Sequence, residues 1–544
     1  MRAEKLFING NIYTMNDEKT HAEALATTGQ TILAVGSTVE LMDLAGPDTE
    51  VIDLKGKTVI PGLIDNHIHS MGMGRMVDQD RVIQCFDKSK EEILEAVRKA
   101  VKQRKPGQWI QGMGWNQSGW LDSSMPTRQD LDDVAPENPV VLQRVCGHAI
   151  WVNSMALKQA GITRDSVAPA GSEILKDENG EPTGYLTETA GNDVQNCIPA
   201  TDLDEMECSY RLIQEEMVKH GITAYTDKLL GCKAIADEPH VKDHLNLLDQ
   251  LYAQRKMKIR LHTFCPPCDD LYELYKKGPQ IGLYDGRLTH RGLKLYSDGA
   301  LGARSAWLLE PYNDRPGHTG SGRMTDEYLQ SEMKKAHDAG FQVSLHAIGD
   351  AAVKQAIDAY EAVNPNNEDM RFLIEHFMIV REDDFERLRG KSILASMQFV
   401  ELNSDMDMVE ERIGKERAKG AYAWRTVLES GGRIVSGTDC PVDSVNPFEN
   451  LYFAVSRCKL NEEPQGGYRP QEALTRYEAL KTYTLDGAYA RFEEEILGSI
   501  KAGKYADFVV IDRDYMNCAV KEIKEIRALM TVIGGEVVYQ KGEF

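Results

Sequence analysis

The sequence predicts an α/β protein, a (β/α)₈ barrel inserted between the two halves of a small β domain. Three observations carry this. Short apolar strands punctuated by glycine occur at both ends of the chain, and eight strand-like runs alternate with helical patterns in the middle. Histidines, a lysine and an aspartate recur at the ends of those runs. Alternation of strand and helix makes a parallel sheet with helical crossovers, and eight such units close into a barrel.

The opening LFINGNIYTM alternates loosely around Asn9-Gly10, a dipeptide that favours a hairpin. TILAVGS and TEVIDLKGKTVIP follow as short strands, and GSIKAGKYADFVVID and ALMTVIGGEVVYQKGEF supply more from the far end. Residues 1–58 and 490–544 are therefore expected to form one composite β domain, with the barrel spanning 59–489. The expected barrel strands are VIPGLIDNH, GITAYTD, KIRLHTF, RGLKLYSDG, FQVSLHAIGD, RFLIEHF, SILASMQF and GRIVSGTD. Helical patterns such as EYLQSEMKKAHDAG and AAVKQAIDAYEAV fall between them, with Gly340 as a helix stop. The spacing fails once. Residues 71–220 separate the first strand from the second, too many for one loop. That stretch has its own strand and turn signals, DENGEPTGY among them, and is read as an inserted lid or subdomain over the barrel mouth.

Composition narrows the function. Of 544 residues 42% are hydrophobic, ample for a large core, and the formal net charge of −22 disfavours a nucleic-acid partner. No run of about 18 apolar residues suggests a membrane span. The start MRAEKLFINGNIYTM lacks the basic and apolar regions of a secretory signal. Cys265 and Cys268 in CPPCDD have CxxC spacing, but prolines stiffen the segment and no second pair follows, so it reads as a loop. Scattered cysteines fit a reducing cytoplasm. The expected partners are a small-molecule substrate and, at most, a second copy in a homodimer.

The chemistry sits at the strand ends, where barrel enzymes place their active sites. The first strand ends in His67 and His69, which share one face at period two while Ile68 takes the other. In the fourth, Lys294 lies between two leucines and points opposite to both, into the interior, where a lone charge is costly. His346, His376 and Asp439 end the fifth, sixth and eighth. One such histidine alone is more simply a hydrogen-bonded core residue. Six residues at the ends of a single set of strands form a divalent-metal donor set suited to zinc and its relatives. Glu375, beside His376, is expected to point the other way and to stay outside the coordination sphere.

These residues resemble the amidohydrolase superfamily of metal-dependent hydrolases. PGLIDNHIH is similar to its first-strand signature, GITAYTD to its second strand, SGTD to its eighth, and GSIKAGKYADFVVID to its returning β domain. More narrowly, DGALGARSAWLLEPY, HAIGD, IEH and GWNQSGW resemble the branch containing N-substituted formamide deformylase. The resemblance implies a distorted TIM barrel with a composite β-sandwich. It implies that His67 and His69 bind the more buried of two zinc ions and His346 and His376 the more exposed one. Lys294 would be carbamylated and bridge them, and Asp439 would contact the buried ion and handle protons. Members with a single metal also exist.

A divalent ion lowers the pKa of water to about 7 and so generates hydroxide at neutral pH. The expected reaction is hydrolysis of a non-peptide C–N bond, amide or formamide-like, with Asp439 as base and then acid. Trp115, Trp120, Arg144, His148, Asp298 and Arg304 are candidates for the substrate pocket, and each has a plainer reading as core packing, a salt bridge or a cap. The alternatives are a deaminase, a cyclic-amide or lactone hydrolase on the same scaffold, or a catalytically silent regulatory or binding protein.

Overall fold

The computed structural model describes residues 2–16, 20–78, 81–86, 88–117, 120–121, 124–145, 149–169, 172–199, 203–228 and 241–542. The chain divides into two compact units. One comprises Met1–His69, Gln214–Leu230 and Leu248–Phe544, and the other Ser70–Ile213 and Gly231–Leu247.

Within the first unit, strands from both ends of the chain form two sheets. The four-stranded sheet runs Thr31–Gly36, Ala24–Thr28, Lys5–Ile8, Glu50–Asp53. The six-stranded sheet runs Glu536–Gln540, Ala528–Ile533, Phe508–Ile511, Thr58–Pro61, Asn11–Tyr13, His21–Ala22. One buried apolar cluster joins them, with Phe7, Leu25 and Ile32 from the first sheet and Ile12, Val59, Phe508, Val510 and Val532 from the second. Phe7 and Phe508 meet edge to face with centroids 4.9 Å apart. A sandwich of this kind buries alternate residues of each strand between its layers.

Two expectations about this region are corrected. Asn9-Gly10 does not close a hairpin, since Lys5–Ile8 and Asn11–Tyr13 belong to different sheets. A two-residue type I′ turn needs positive φ at both central positions. Asn9 has it (φ 55°) and Gly10 does not, so the chain steps from one sheet to the other. Nor is VIPGLIDNH one strand. Thr58–Pro61 pairs in the sandwich and Leu63–Ile68 in the barrel. The break falls at Gly62, where a Cβ would stand 2.2 Å from Thr223 Oγ1.

The barrel strands are β1 (Leu63–Ile68), β2 (Ile222–Asp227), β3 (Arg260–Cys265), β4 (Leu288–Tyr296), β5 (Gln342–Ala347), β6 (Phe372–His376), β7 (Ile393–Ser396) and β8 (Arg433–Val435). Each pairs in parallel with the next. Strands β1, β2, β3, β6 and β7 are buried at every position, as strands covered on both faces must be. The crossover helices follow ordinary rules. Asp326–Asp338 is capped by Thr325, whose side chain accepts from Tyr328 N. It carries Asp326 and Glu327 in its first turn and Lys335 and His337 in its last, matching the helix dipole, and buries Leu329, Met333 and Ala336.

The seam between β8 and β1 closes beyond the end of β8. Asn66 N donates to Ser436 O at 3.1 Å, Asp439 N to His67 O at 2.8 Å, and His69 N to Cys440 O at 2.9 Å. Gly437 permits this approach, because a Cβ there would lie 2.3 Å from His67 N.

The second unit is built on a six-stranded mixed sheet, ordered Ile174–Lys176, Pro182–Thr187, Ala149–Val152, Val140–Arg144, Ile110–Trp115, Val82–Gln84. Two apolar clusters of its own pack here, one around Trp115, Trp120 and Trp151, the other around Ile150, Leu157 and Val194. Among the described residues of the whole chain, no helix is long and apolar enough to cross a membrane.

Gly62→Ala should lower the urea stability of the chain by about 1–3 kcal/mol, the usual cost of overpacking. An unchanged unfolding midpoint would show that Thr223 yields freely.

Candidate metal centre

Five of the six expected ligands lie at or just beyond the C-terminal ends of barrel strands, and Lys294 lies within β4. His67, His376 and Asp439 are buried, and their ligand atoms all lie within 4.8 Å of one another. His69 joins them through Asp439, whose Oδ1 is 3.0 Å from His69 Nε2 and 3.2 Å from His67 Nε2. The His346 ring packs on that of His376 with centroids 4.5 Å apart. Its Nε2 lies 3.2 Å from Gly299 O, so ligation through that atom would exchange the carbonyl for an ion. Lys294 is buried in β4, with its Nζ 5.0 Å from the Tyr296 ring and no hydrogen-bond partner among the described residues.

Backbone geometry at two ligands is unusual. His376 (φ 69°) and Asp439 (φ 57°) both sit in the left-handed region. Non-glycine residues there are uncommon, and such strain gathers at functional sites. The twist at His376 also ends the alternation that would send Glu375 away from the site. Glu375 is fully buried, and its Oε2 lies 2.6 Å from His67 Nδ1. Its Oε1 accepts from Ser344 Oγ at 2.6 Å and lies 2.8 Å from Lys228 Nζ. Burial alone would raise this carboxyl, but Lys228 and His67 outweigh it and hold Glu375 well below the usual range. A carboxylate only accepts, so Nδ1 of His67 carries a proton, which leaves Nε2 as the atom that can face an ion. A second carboxyl group, that of Glu401, lies 2.7 Å from His376 Nδ1. Metal-ligating histidines are commonly oriented by such partners.

Electrostatics fit a cation. Burial would raise Asp439, yet His67 and His69 hold its carboxyl well below the usual range. Its Oδ1 makes no aligned hydrogen bond. A carboxylate oxygen 3.2 Å from an imidazole nitrogen calls for positive charge between them, a proton or a metal ion. Burial, then the charges of His376 and Lys294, drives His346 far down. His376 is lowered by burial first. Both rings are thus neutral and free to donate at neutral pH. Glu401 is pushed well up by burial and by Asp439 and Asp405, and a divalent ion nearby would favour its ionised form. The donor set of imidazoles and a carboxylate therefore suits a divalent metal.

Of the other sequence candidates, Asp298 lies at this centre, with its Oδ1 3.4 Å from His346 Nε2. Trp115 is 0% exposed in the core of the second unit, its Nε1 donating to Leu142 O at 2.8 Å. Trp120 packs beside it with ring centroids 6.0 Å apart. Arg144 donates to Gln117 Oε1 and Asn116 Oδ1, each at 3.0 Å. Asp298 is buried, and its oxygens accept from the main-chain N–H groups of Ile348, Gly349 and Trp307 at 2.8–3.0 Å. Arg304 is paired with Asp314 at 2.6 Å. His148 lies outside the described residues.

Sequence reasoning missed Lys228 and Glu401, and it expected Glu375 to point away from the site. Lys228 follows the last residue of β2, so the strand-end rule that selected the histidines would also have selected it.

A parallel barrel with neutral imidazoles and a carboxylate at its C-terminal rim defines a class, the barrel metal-dependent hydrolases. Comparison with known proteins gives the family. Residues 50–539 match the profile of the Amidohydrolase family, and the chain belongs to it. It is 33% identical to Protein LONG AFTER FAR-RED 3 of Arabidopsis thaliana, over 99% of this chain and 92% of that protein. It is 28% identical to N-substituted formamide deformylase of Arthrobacter pascens, over 98% of each. Among solved structures, a metal-dependent hydrolase of Pyrococcus furiosus, itself uncharacterized, superposes with a TM-score of 0.76 at 30% identity. That match covers 94% of this chain and 100% of the other.

One buried carboxylate ties this rim together. Asp65 Oδ1 accepts from His67 N and Thr438 N, each at 3.1 Å, and Oδ2 from Thr438 Oγ1 at 2.7 Å. Asp65→Ala leaves two buried N–H groups without acceptors and should cost roughly 2–5 kcal/mol in urea unfolding. Asp65→Asn keeps an acceptor oxygen and should cost much less. Equal losses in the two variants would rule out this account.

Proposed function

We propose that the protein hydrolyses a non-peptide C–N bond, amide or formamide-like, in a small molecule in the cytoplasm, using two zinc ions. The observation that carries this reading is the convergence of His67, His376 and Asp439, with His69 against the same Asp439 oxygen. The likeness to a formamide deformylase along almost the whole chain supports the bond type.

His67, His69 and Asp439 would hold one ion, and His346 and His376 the second. A divalent ion there supplies Lewis acidity, polarising a carbonyl and making water nucleophilic at neutral pH. Asp439, ionised at neutral pH, takes the proton of the attacking water and returns it to the leaving nitrogen. Lys294 we assign to carbamylation. Only a neutral amine adds to CO₂, and burial pushes Lys294 down to about 8, with no hydrogen-bond partner for its Nζ among the described residues. The new N–C bond forms with loss of a proton, turning a buried cation into an anionic ligand. Lys228, by contrast, is committed to Glu375.

Metal analysis should find up to two divalent ions per chain, and at most one in Lys294→Ala. Two tightly held ions in that variant would remove Lys294 from the site. His346→Ala should abolish turnover, and full activity there would refute its assignment. A panel of N-formyl, N-acyl and cyclic amides, with amine substrates and lactones alongside, tests the reaction itself. Turnover confined to amine or lactone substrates would replace the amide reading with deamination or lactone hydrolysis. Metal-loaded protein that turns over none of these would return the silent-scaffold reading.

A further inference from the structure

The barrel interior holds a fully buried cation that the mechanism above does not use. Lys228 is 0% exposed, as is Glu375, and their charged atoms are 2.8 Å apart. The Lys228 ammonium lies 4.1 Å from the centre of the Phe264 ring, on a strand buried at every position. Its main-chain N donates to Ile68 O at 2.9 Å, fixing it to the strand that carries His67 and His69. Glu375 stands between this cation and His67, with one oxygen toward each. Burying a lone carboxylate is costly, and breaking a buried pair leaves the surviving charge uncompensated. Lys294 also adds positive charge near Glu375, but among the described residues the carboxylate's ion pair is with Lys228.

We propose that Lys228 is a positioning residue of the metal centre. Its ammonium anchors Glu375 so that the carboxylate grips His67 at Nδ1 and presents Nε2 to the ion. The chain of contact runs from Lys228 through Glu375 and His67 to the metal, and Lys228 touches neither substrate nor ion. This inference rests on the metal reading of the site. It adds that metal affinity is set partly from β2, a strand that contributes no ligand.

The test is Co²⁺ binding to the full-length chain, read by visible absorption and by competition with a chelator. Lys228→Met should weaken binding roughly 10- to 100-fold, as loss of a residue supporting a ligand does, and alter the Co²⁺ spectrum. Glu375→Gln should weaken it comparably, and adding Lys228→Met to Glu375→Gln should change affinity by less than about threefold. A merely structural lysine would give no such coupling. Should Lys228→Met fail to fold, the comparison of Glu375→Gln with the double variant, which leaves no lone charge, decides the matter alone. Unchanged Co²⁺ affinity in a folded Lys228→Met, or an undiminished further loss in the double variant, overturns the proposal. Failure of the wild-type chain to bind Co²⁺ would instead sink the metal reading itself.

Discussion

Everything at the rim depends on how the barrel closes. β8 is short, and its own residues do not reach the ends of β1. The chain beyond it completes the seam, with Gly437 lying close against His67 and main-chain bonds on either side. Asp65 adds a third point of attachment by holding both His67 N and Thr438 N. The same few residues therefore close the sheet and place His67, His69 and Asp439. Barrel closure and assembly of the donor set are one event, which explains why a buried carboxylate with no part in chemistry sits directly beneath the first ligand.

A second constraint is charge. Glu375, Lys228, Lys294 and Asp439 all sit away from water, where isolated ions are expensive. Lys228 and Glu375 neutralise each other. Asp439 is stabilised by two histidines, whereas Glu401 is pushed well up among its acidic neighbours. The balance is incomplete at the rim, on the side where imidazole nitrogens converge. Such an interior is suited to receive positive charge, and the strained backbone at His376 and Asp439 is the local cost of aiming the donors there.

Much of this was legible in the sequence because it is periodic. Strand-helix alternation marks the barrel, and the spacing of His67 and His69 puts both on one face. The likeness of SGTD and PGLIDNHIH to known signatures then adds Asp439 and the returning β domain. What was not legible depends on neighbours across the fold. Asn9-Gly10 has hairpin composition, yet sheet pairing carries it elsewhere. Gly62 splits an apolar run only because Thr223 lies against it. Glu375 looked misdirected by alternation, and only the left-handed turn at His376 shows why both side chains reach the centre. Trp115 and Trp120 carry no sequence mark separating a pocket wall from a core, and in the folded chain they stack in the second unit.

Asp65 and Thr438 are 373 residues apart. A nascent chain therefore exposes β1, buried along its whole length in the finished protein, long before its closing partner is made. Pairings of such long range are slow to form and leave sticky strand edges in the interim. The protein cannot capture its metal piecemeal from the amino terminus onward. Termination upstream of residue 440 would leave the barrel without the segment that closes it on the first strand.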